Sequence, residues 1–138
     1  MTHRAFTDGA ARGNPGDAGI GILVKDEKGA TVLSLHGYIG VCTNNVAEYT
    51  ALLTLLERVK ARPWRRLLVH SDSELMVRQM NGQYKVRDRG LKPLHARARG
   101  LLQELPFECR LVHIPREENQ EADELANRGI DERVPLHA

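Results

Sequence analysis

No apolar run in this 138-residue chain approaches the roughly 18 residues that a membrane helix needs. The opening stretch, from Met1 to Gly9, lacks the basic head and apolar core of a secretory signal. A cytoplasmic protein is therefore expected. Cysteine is scarce: Cys42 and Cys109 stand alone, without metal-type spacing. Structural thiols packed as small hydrophobes are expected, and a reducing compartment argues against a disulfide. Repeats, low-complexity segments and Pro/Gly/Ser linkers are absent, which favours one domain over residues 1–138. Apolar residues make up 41% and charged residues 28%, as in an ordinary globular protein with a real core.

The net charge of +2 decides little, but its distribution is uneven. Lys85, Arg87, Arg89, Lys92, Arg97 and Arg99 face a single acid, Asp88, in one stretch. Arg58, Lys60, Arg62, Arg65 and Arg66 form a second basic group. Such flanks either follow a phosphate backbone or are solvated helix faces.

The pattern of residues predicts the order β-β-β-α-β-α-α-β-α. His3 to Asp8 reads as a strand, followed by a dense turn signal from Gly9 to Gly16. Gly19 to Lys25 and Ala30 to Ile39 read as the next two strands, joined by a hairpin turn at Asp26 to Gly29. Thr43 is a candidate cap for a helix reaching about Ala61, with Pro63 ending it. Leu67 to His70 is a short buried strand. Ser71 is the candidate cap of a helix ending near Met80. A helix over about Leu91 to Leu105, a strand from Phe107 to Ile114 and a helix from Asn119 to about Ile130 complete the chain. Helical crossovers after strands three and four imply parallel pairing there. The expected fold is α/β: a mixed five-stranded sheet flanked by helices.

Four carboxylates stand where folding alone would not put them. Asp8 ends the first strand and Asp72 follows the fourth. Ligands collect at the carboxyl ends of parallel strands, so these two acids can share a crevice. Glu48 lies in line with Leu52, Leu55 and Val59, inside an apolar stripe, where an unpaired carboxylate costs several kcal/mol. An acid in a first helical turn also suits the helix dipole, which is the plainer reading of Glu48 alone. Asp123 sits at the edge of the last helix's stripe, with Asn119 and Asn127 one turn to either side. Crowded acids repel, and a divalent cation removes the conflict. Oxygen donors without His or Cys suit Mg²⁺ or Mn²⁺ rather than zinc. Four carboxylates can hold two ions, a pair able to activate water and steady the leaving oxygen of a phosphodiester.

The stretches Thr7-Asp-Gly-Ala-Ala-Arg-Gly-Asn-Pro-Gly16, Thr43-Asn-Asn-Val-Ala-Glu-Tyr49, Ser71-Asp-Ser73 and Asn119-Gln-Glu-Ala-Asp-Glu-Leu-Ala126 resemble, in order, the motifs of type 1 ribonucleases H. The resemblance covers nearly the whole chain. It implies the ribonuclease H-like fold and hydrolysis of the RNA strand of RNA–DNA hybrids, leaving 3′-hydroxyl and 5′-phosphate ends. It also implies a metal-binding catalytic set of Asp8, Glu48, Asp72 and Asp123, with two Mg²⁺ or Mn²⁺ ions when substrate is bound. Asp8 would bridge both ions, Glu48 and Asp72 would hold one, and Asp123 would help hold the other. Substrate contacts implied by the resemblance are Gly9, Arg12, Asn14, Thr43, Asn44 and Asn45. Gly9, Asn14, Asn44 and Asn45 would meet the minor groove, and Thr43 a DNA-strand phosphate. A glycine allows close backbone approach, an Asn donates and accepts at once, and the 2′-hydroxyl distinguishes RNA from DNA. Helix capping is the plainer role for Asn44 and Asn45.

Two departures from the familiar bacterial form matter. Its loop His is absent from Ile114 to Glu118, where Arg116 stands nearest, as in a compact branch of the family. Arg116 is therefore included as a catalytic aid near the scissile phosphate or departing product, although Arg cannot act as a general base. His113 is expected inside strand five with a structural role. The basic handle is also missing, and Tyr84 to Arg89 is expected to replace part of its grip. No hybrid-binding domain is expected ahead of the motifs, and a monomer is expected. Rival readings are a same-fold integrase or junction resolvase, a non-catalytic hybrid-binding protein and a purely structural protein.

Overall fold

A computed structural model describes residues 1–135 of the chain. Strands β1 (His3–Gly13), β2 (Gly16–Lys25) and β3 (Thr31–Cys42) form an antiparallel meander. Helix α1 (Asn44–Val59) crosses to β4 (Arg66–Ser71). Helices α2 (Glu74–Met80) and α3 (Lys92–Glu104) lead to β5 (Glu108–His113). A 3₁₀ turn over Arg116–Glu118 precedes α4 (Gln120–Glu132). The sheet order is β3-β2-β1-β4-β5, with β4 parallel to both β1 and β5. This is the mixed α/β sheet that the crossovers predict. Among the described residues, no helix is long and apolar enough to cross a membrane.

Two glycines show how the layers are arranged. A Cβ on Gly9 would lie 2.2 Å from the Ala47 carbonyl carbon of α1. One on Gly21 would lie 2.2 Å from the Ala122 carbonyl oxygen of α4. Gly21 pairs directly with Asp8, so both share a face of the sheet, whereas the adjacent Gly9 points to the other. Helices α1 and α4 therefore cover opposite faces, and Asp8 points toward α4. On the α1 side, Tyr49, Leu52, Leu55, Leu56 and Val59 are buried in one core with Ala5, Ile20, Ile22, Leu67 and Val69. Each large aliphatic side chain there contributes roughly 1.5–3 kcal/mol by leaving water.

Three local expectations are corrected. The Gly9 to Gly13 stretch is strand, not turn, and the turn shrinks to Asn14-Pro15. The ladder from Gly9↔Ile20 to Gly13↔Gly16 satisfies the backbone groups of this Gly/Ala-rich stretch and overrides its turn-like composition. Ser71 does not cap α2. Pairing with Thr7 and His113 keeps it in the sheet, and Ser73 caps instead, its Oγ accepting from Met76 N at 3.3 Å. Helix α1 stops at Val59, ahead of Pro63. Cys42 and Cys109 are free and only half-buried, on strands at opposite edges of the sheet, so no bridge joins them. Burial raises both thiol pKa values, that of Cys109 to about 12. His113 lies in β5, as expected, and is exposed.

Candidate active site

Parallel pairing of β1 with β4 places Thr7 opposite Ser71 and so brings Asp8 and Asp72 to the same end of the sheet. Glu48 reaches that end from the first turns of α1, which Thr43 caps by accepting from Val46 N at 3.2 Å. The helix enters closely because residue 9 has no side chain. Gly9 N donates to Glu48 Oε1 at 2.9 Å and so fixes the carboxylate. One ligand atom from each of Asp8, Glu48 and Asp72 lies within 4.8 Å of the others. Asp123 approaches from α4, and its charge adds to those that raise the Asp8 pKa. All four acids line one open cleft of about 300 Å³, together with Arg116 and Asn44.

Both Asp8 and Glu48 are only 4% exposed. Burial, then the charges of Glu48 and Asp72, push the Asp8 pKa up to about 9. Burial and the Asp72 charge raise that of Glu48 to about 8, against the opposing pull of the Gly9 amide. Four acids forced together in this way are a poor structural solution and a good cation site. Their donor set, all oxygen and open on one side, fits a hard divalent metal.

The remaining predicted residues are distributed as follows. Arg116 is exposed on the 3₁₀ turn and borders the cleft, as expected. Asn14 Oδ1 accepts from Asn44 N at 3.0 Å, tying the β1–β2 turn to the start of α1. Since Thr43 supplies the cap, Asn44 and Asn45 are exposed first-turn residues whose side chains do no capping. Arg12 is turned to α4, where it pairs with Asp131 at 2.7 Å. Close approach at Gly9 serves α1 packing. Much of the basic flank forms surface pairs: Lys60 and Arg97 both meet Glu57, and Arg66 meets Glu108. Lys85, Arg87 and Arg89 stand exposed in the irregular stretch between α2 and α3.

Sequence reasoning missed the role of Asn119. It is 1% exposed, and its Nδ2 donates to Thr7 O at 2.9 Å, holding the start of α4 beside Asp8. Its spacing one turn before Asp123 was the available signal.

Fold and site together define a ribonuclease H-like architecture whose carboxylate cluster suits a divalent cation. A family model described as reverse transcriptase-like matches residues 6–129. The chain is 37% identical to ribonuclease HI of Halobacterium salinarum, over 93% of this chain and 64% of that one. It is 34% identical to ribonuclease H of Coxiella burnetii, covering 92% and 88% respectively. The crystal structure of LC11-RNase H1 in complex with an RNA/DNA hybrid superposes with a TM-score of 0.89 at 46% identity, covering 94% of this chain and 97% of that one. The chain belongs to the type 1 ribonuclease H family. It spans less than two thirds of the Halobacterium protein and 34% of several mycobacterial relatives.

Proposed function

We propose that the protein is an endonuclease that hydrolyses the RNA strand of RNA–DNA hybrids and leaves 3′-hydroxyl and 5′-phosphate ends. The observation that carries this reading is the carboxylate cluster at the ends of β1 and β4, with Asp123 facing it from α4. Asp8, Glu48, Asp72 and Asp123 are the residues that would hold two Mg²⁺ or Mn²⁺ ions. Bound there, such ions supply an activated water and charge stabilisation for the departing oxygen.

The chain's own groups do the rest. Gly9 N holds Glu48 in place, and Asn119 holds α4 against β1, so the acids are set before any ligand arrives. Exposed Asn45, with Asn44 and Asn14 linked beside it, offers polar groups suited to 2′-hydroxyls and minor-groove edges. Arg116 places a permanent positive charge at the rim, suited to a phosphate or to departing product. Lys85, Arg87 and Arg89 give a salt-sensitive contact to the backbone. The LC11-RNase H1 complex supports the hybrid as substrate. A monomer working in the cytoplasm completes the reading.

The test is to incubate the protein with labelled hybrid, duplex DNA and duplex RNA, in Mg²⁺, Mn²⁺ or EDTA. Metal-dependent cleavage of the hybrid's RNA strand alone is expected. Cleavage of duplex DNA would favour the integrase or resolvase reading. Hybrid binding without cleavage in either metal would favour the non-catalytic one.

A further inference from the structure

Helix α4 presents Asp123, Asn127 and Asp131 one turn apart, in a row along one face. Strand β1 presents Asp8, Ala10 and Arg12 on its α4-facing side, because alternate residues share a face. The two rows match in length. The four strand steps from Asp8 to Arg12 span about 13 Å, and the eight helical steps from Asp123 to Asp131 span about 12 Å. Asp8 and Asp123 line the cleft together at one end, and Arg12 meets Asp131 at the other.

Asn127 sits between them. Arg12 Nη2 donates to Asn127 Oδ1 at 3.3 Å and to Asn127 O at 3.5 Å, while Nη1 pairs with Asp131 at 2.7 Å. Asn127 Nδ2 donates to Asp123 O at 3.0 Å and to Asp123 Oδ1 at 3.4 Å. Guanidinium has donors only, so the amide must turn its oxygen to Arg12 and its NH₂ to Asp123. With Arg12 removed, the acceptors of Asp123 still favour that orientation, but the amide oxygen loses the donor that clamps it in place.

We propose that Asn127 and Arg12 are positioning residues for metal binding: Arg12 fixes the Asn127 amide, and Asn127 fixes the Asp123 carboxylate. This rests on the proposed reading of the acids as a metal site. It reassigns Arg12 from a substrate contact to a support of the metal-facing acid. Partners of this kind typically alter metal affinity or activity 10–100-fold when removed.

The test is calorimetric titration of Mn²⁺ into the whole protein without nucleic acid, beside hybrid cleavage and melting in EDTA. Asn127→Ala should weaken Mn²⁺ binding by about tenfold. Arg12→Met should weaken it in the same direction, and Arg12→Lys should resemble Arg12→Met, because an ammonium lacks the fork that reaches Asp131 and Asn127 together. The double variant Arg12→Met/Asn127→Ala should be no worse than Asn127→Ala, since Arg12 acts through the amide. KM for the hybrid should stay unchanged in Arg12→Met at saturating metal. A raised KM rescued by Arg12→Lys, with Mn²⁺ affinity intact, would overturn the proposal in favour of a phosphate contact. A lower melting temperature in EDTA with unaltered Mn²⁺ affinity would overturn it in favour of a purely structural brace. If the wild type binds Mn²⁺ without cleaving hybrid and Asn127→Ala still weakens that binding, the positioning role stands and the nuclease reading falls.

Discussion

Replacing Asp8 by Asn should stabilise the ion-free protein while destroying its function. Asp8 is 4% exposed, and without a cation its folded-state pKa of about 9 keeps it protonated at neutral pH. In the unfolded chain the ordinary value of 3.8 leaves it ionised. Because the folded state binds more protons at this group, the Asp8 contribution to stability is most favourable below about pH 4 and falls as pH rises toward about 9. At pH 7 about three units of this range have been crossed, at about 1.4 kcal/mol each, so the penalty is on the order of 4 kcal/mol. Asn preserves the shape and can donate to Asp123, yet it remains a buried polar group. About 2 kcal/mol of net stabilisation is therefore expected, or roughly 8 °C in Tm for a chain of this size. Calorimetry in EDTA from pH 5 to 9 should show the wild-type Tm declining with pH and the variant's slope flattened. Mg²⁺ at about 100 times its Kd should stabilise the wild type by about 2.7 kcal/mol and the variant far less. Hybrid cleavage should be lost. A variant that melts below the wild type in EDTA at pH 8, or gains as much from Mg²⁺, would refute the claim that repelling acids await a cation.

Gly9→Ala should cost at least about 3 kcal/mol, because its Cβ meets α1 backbone rather than a movable side chain; chemical denaturation would show the loss, and a near-neutral result would mean α1 can retreat. Mg²⁺ binding should release protons at pH 7, since Asp8 and Glu48 are raised to about 9 and about 8. Cleavage at limiting Mg²⁺ should accordingly climb from pH 6 to 9 and flatten at saturating Mg²⁺; calorimetry in buffers of different ionisation enthalpy would count the protons. Arg116→Ala should slow cleavage by roughly ten- to a hundredfold, the scale of one electrostatic aid, while leaving the Mg²⁺-dependent rise in Tm intact; unchanged single-turnover rates would remove Arg116 from the site.

The order of elements was legible because periodicity is local. Leu52, Leu55 and Val59 repeat as a helix stripe does, and Glu48 stood out as a charge inside that stripe. The ends of elements were less legible. Gly9 to Gly13 has the composition of a turn, and only pairing with β2 holds it extended. Ser71 has the composition of a cap, and only pairing on both sides keeps it in the sheet. Arg12 gave no local sign of its partners, which lie 115 and more residues away.

Sequence alone determined which atoms are available for chemistry: four carboxylates, each placed by a short motif, and a polar, Asn-rich stretch beside them. Tertiary structure decided which of those atoms meet. The convergence of Asp8, Glu48 and Asp72 depends on parallel β1–β4 pairing and on an α1 approach permitted by a missing Cβ. The setting of Asp123 depends on how α4 docks across β1. Side-chain identity is fixed one residue at a time, whereas distances between remote carboxylates are fixed only when the sheet closes and burial raises the cost of every misplaced charge.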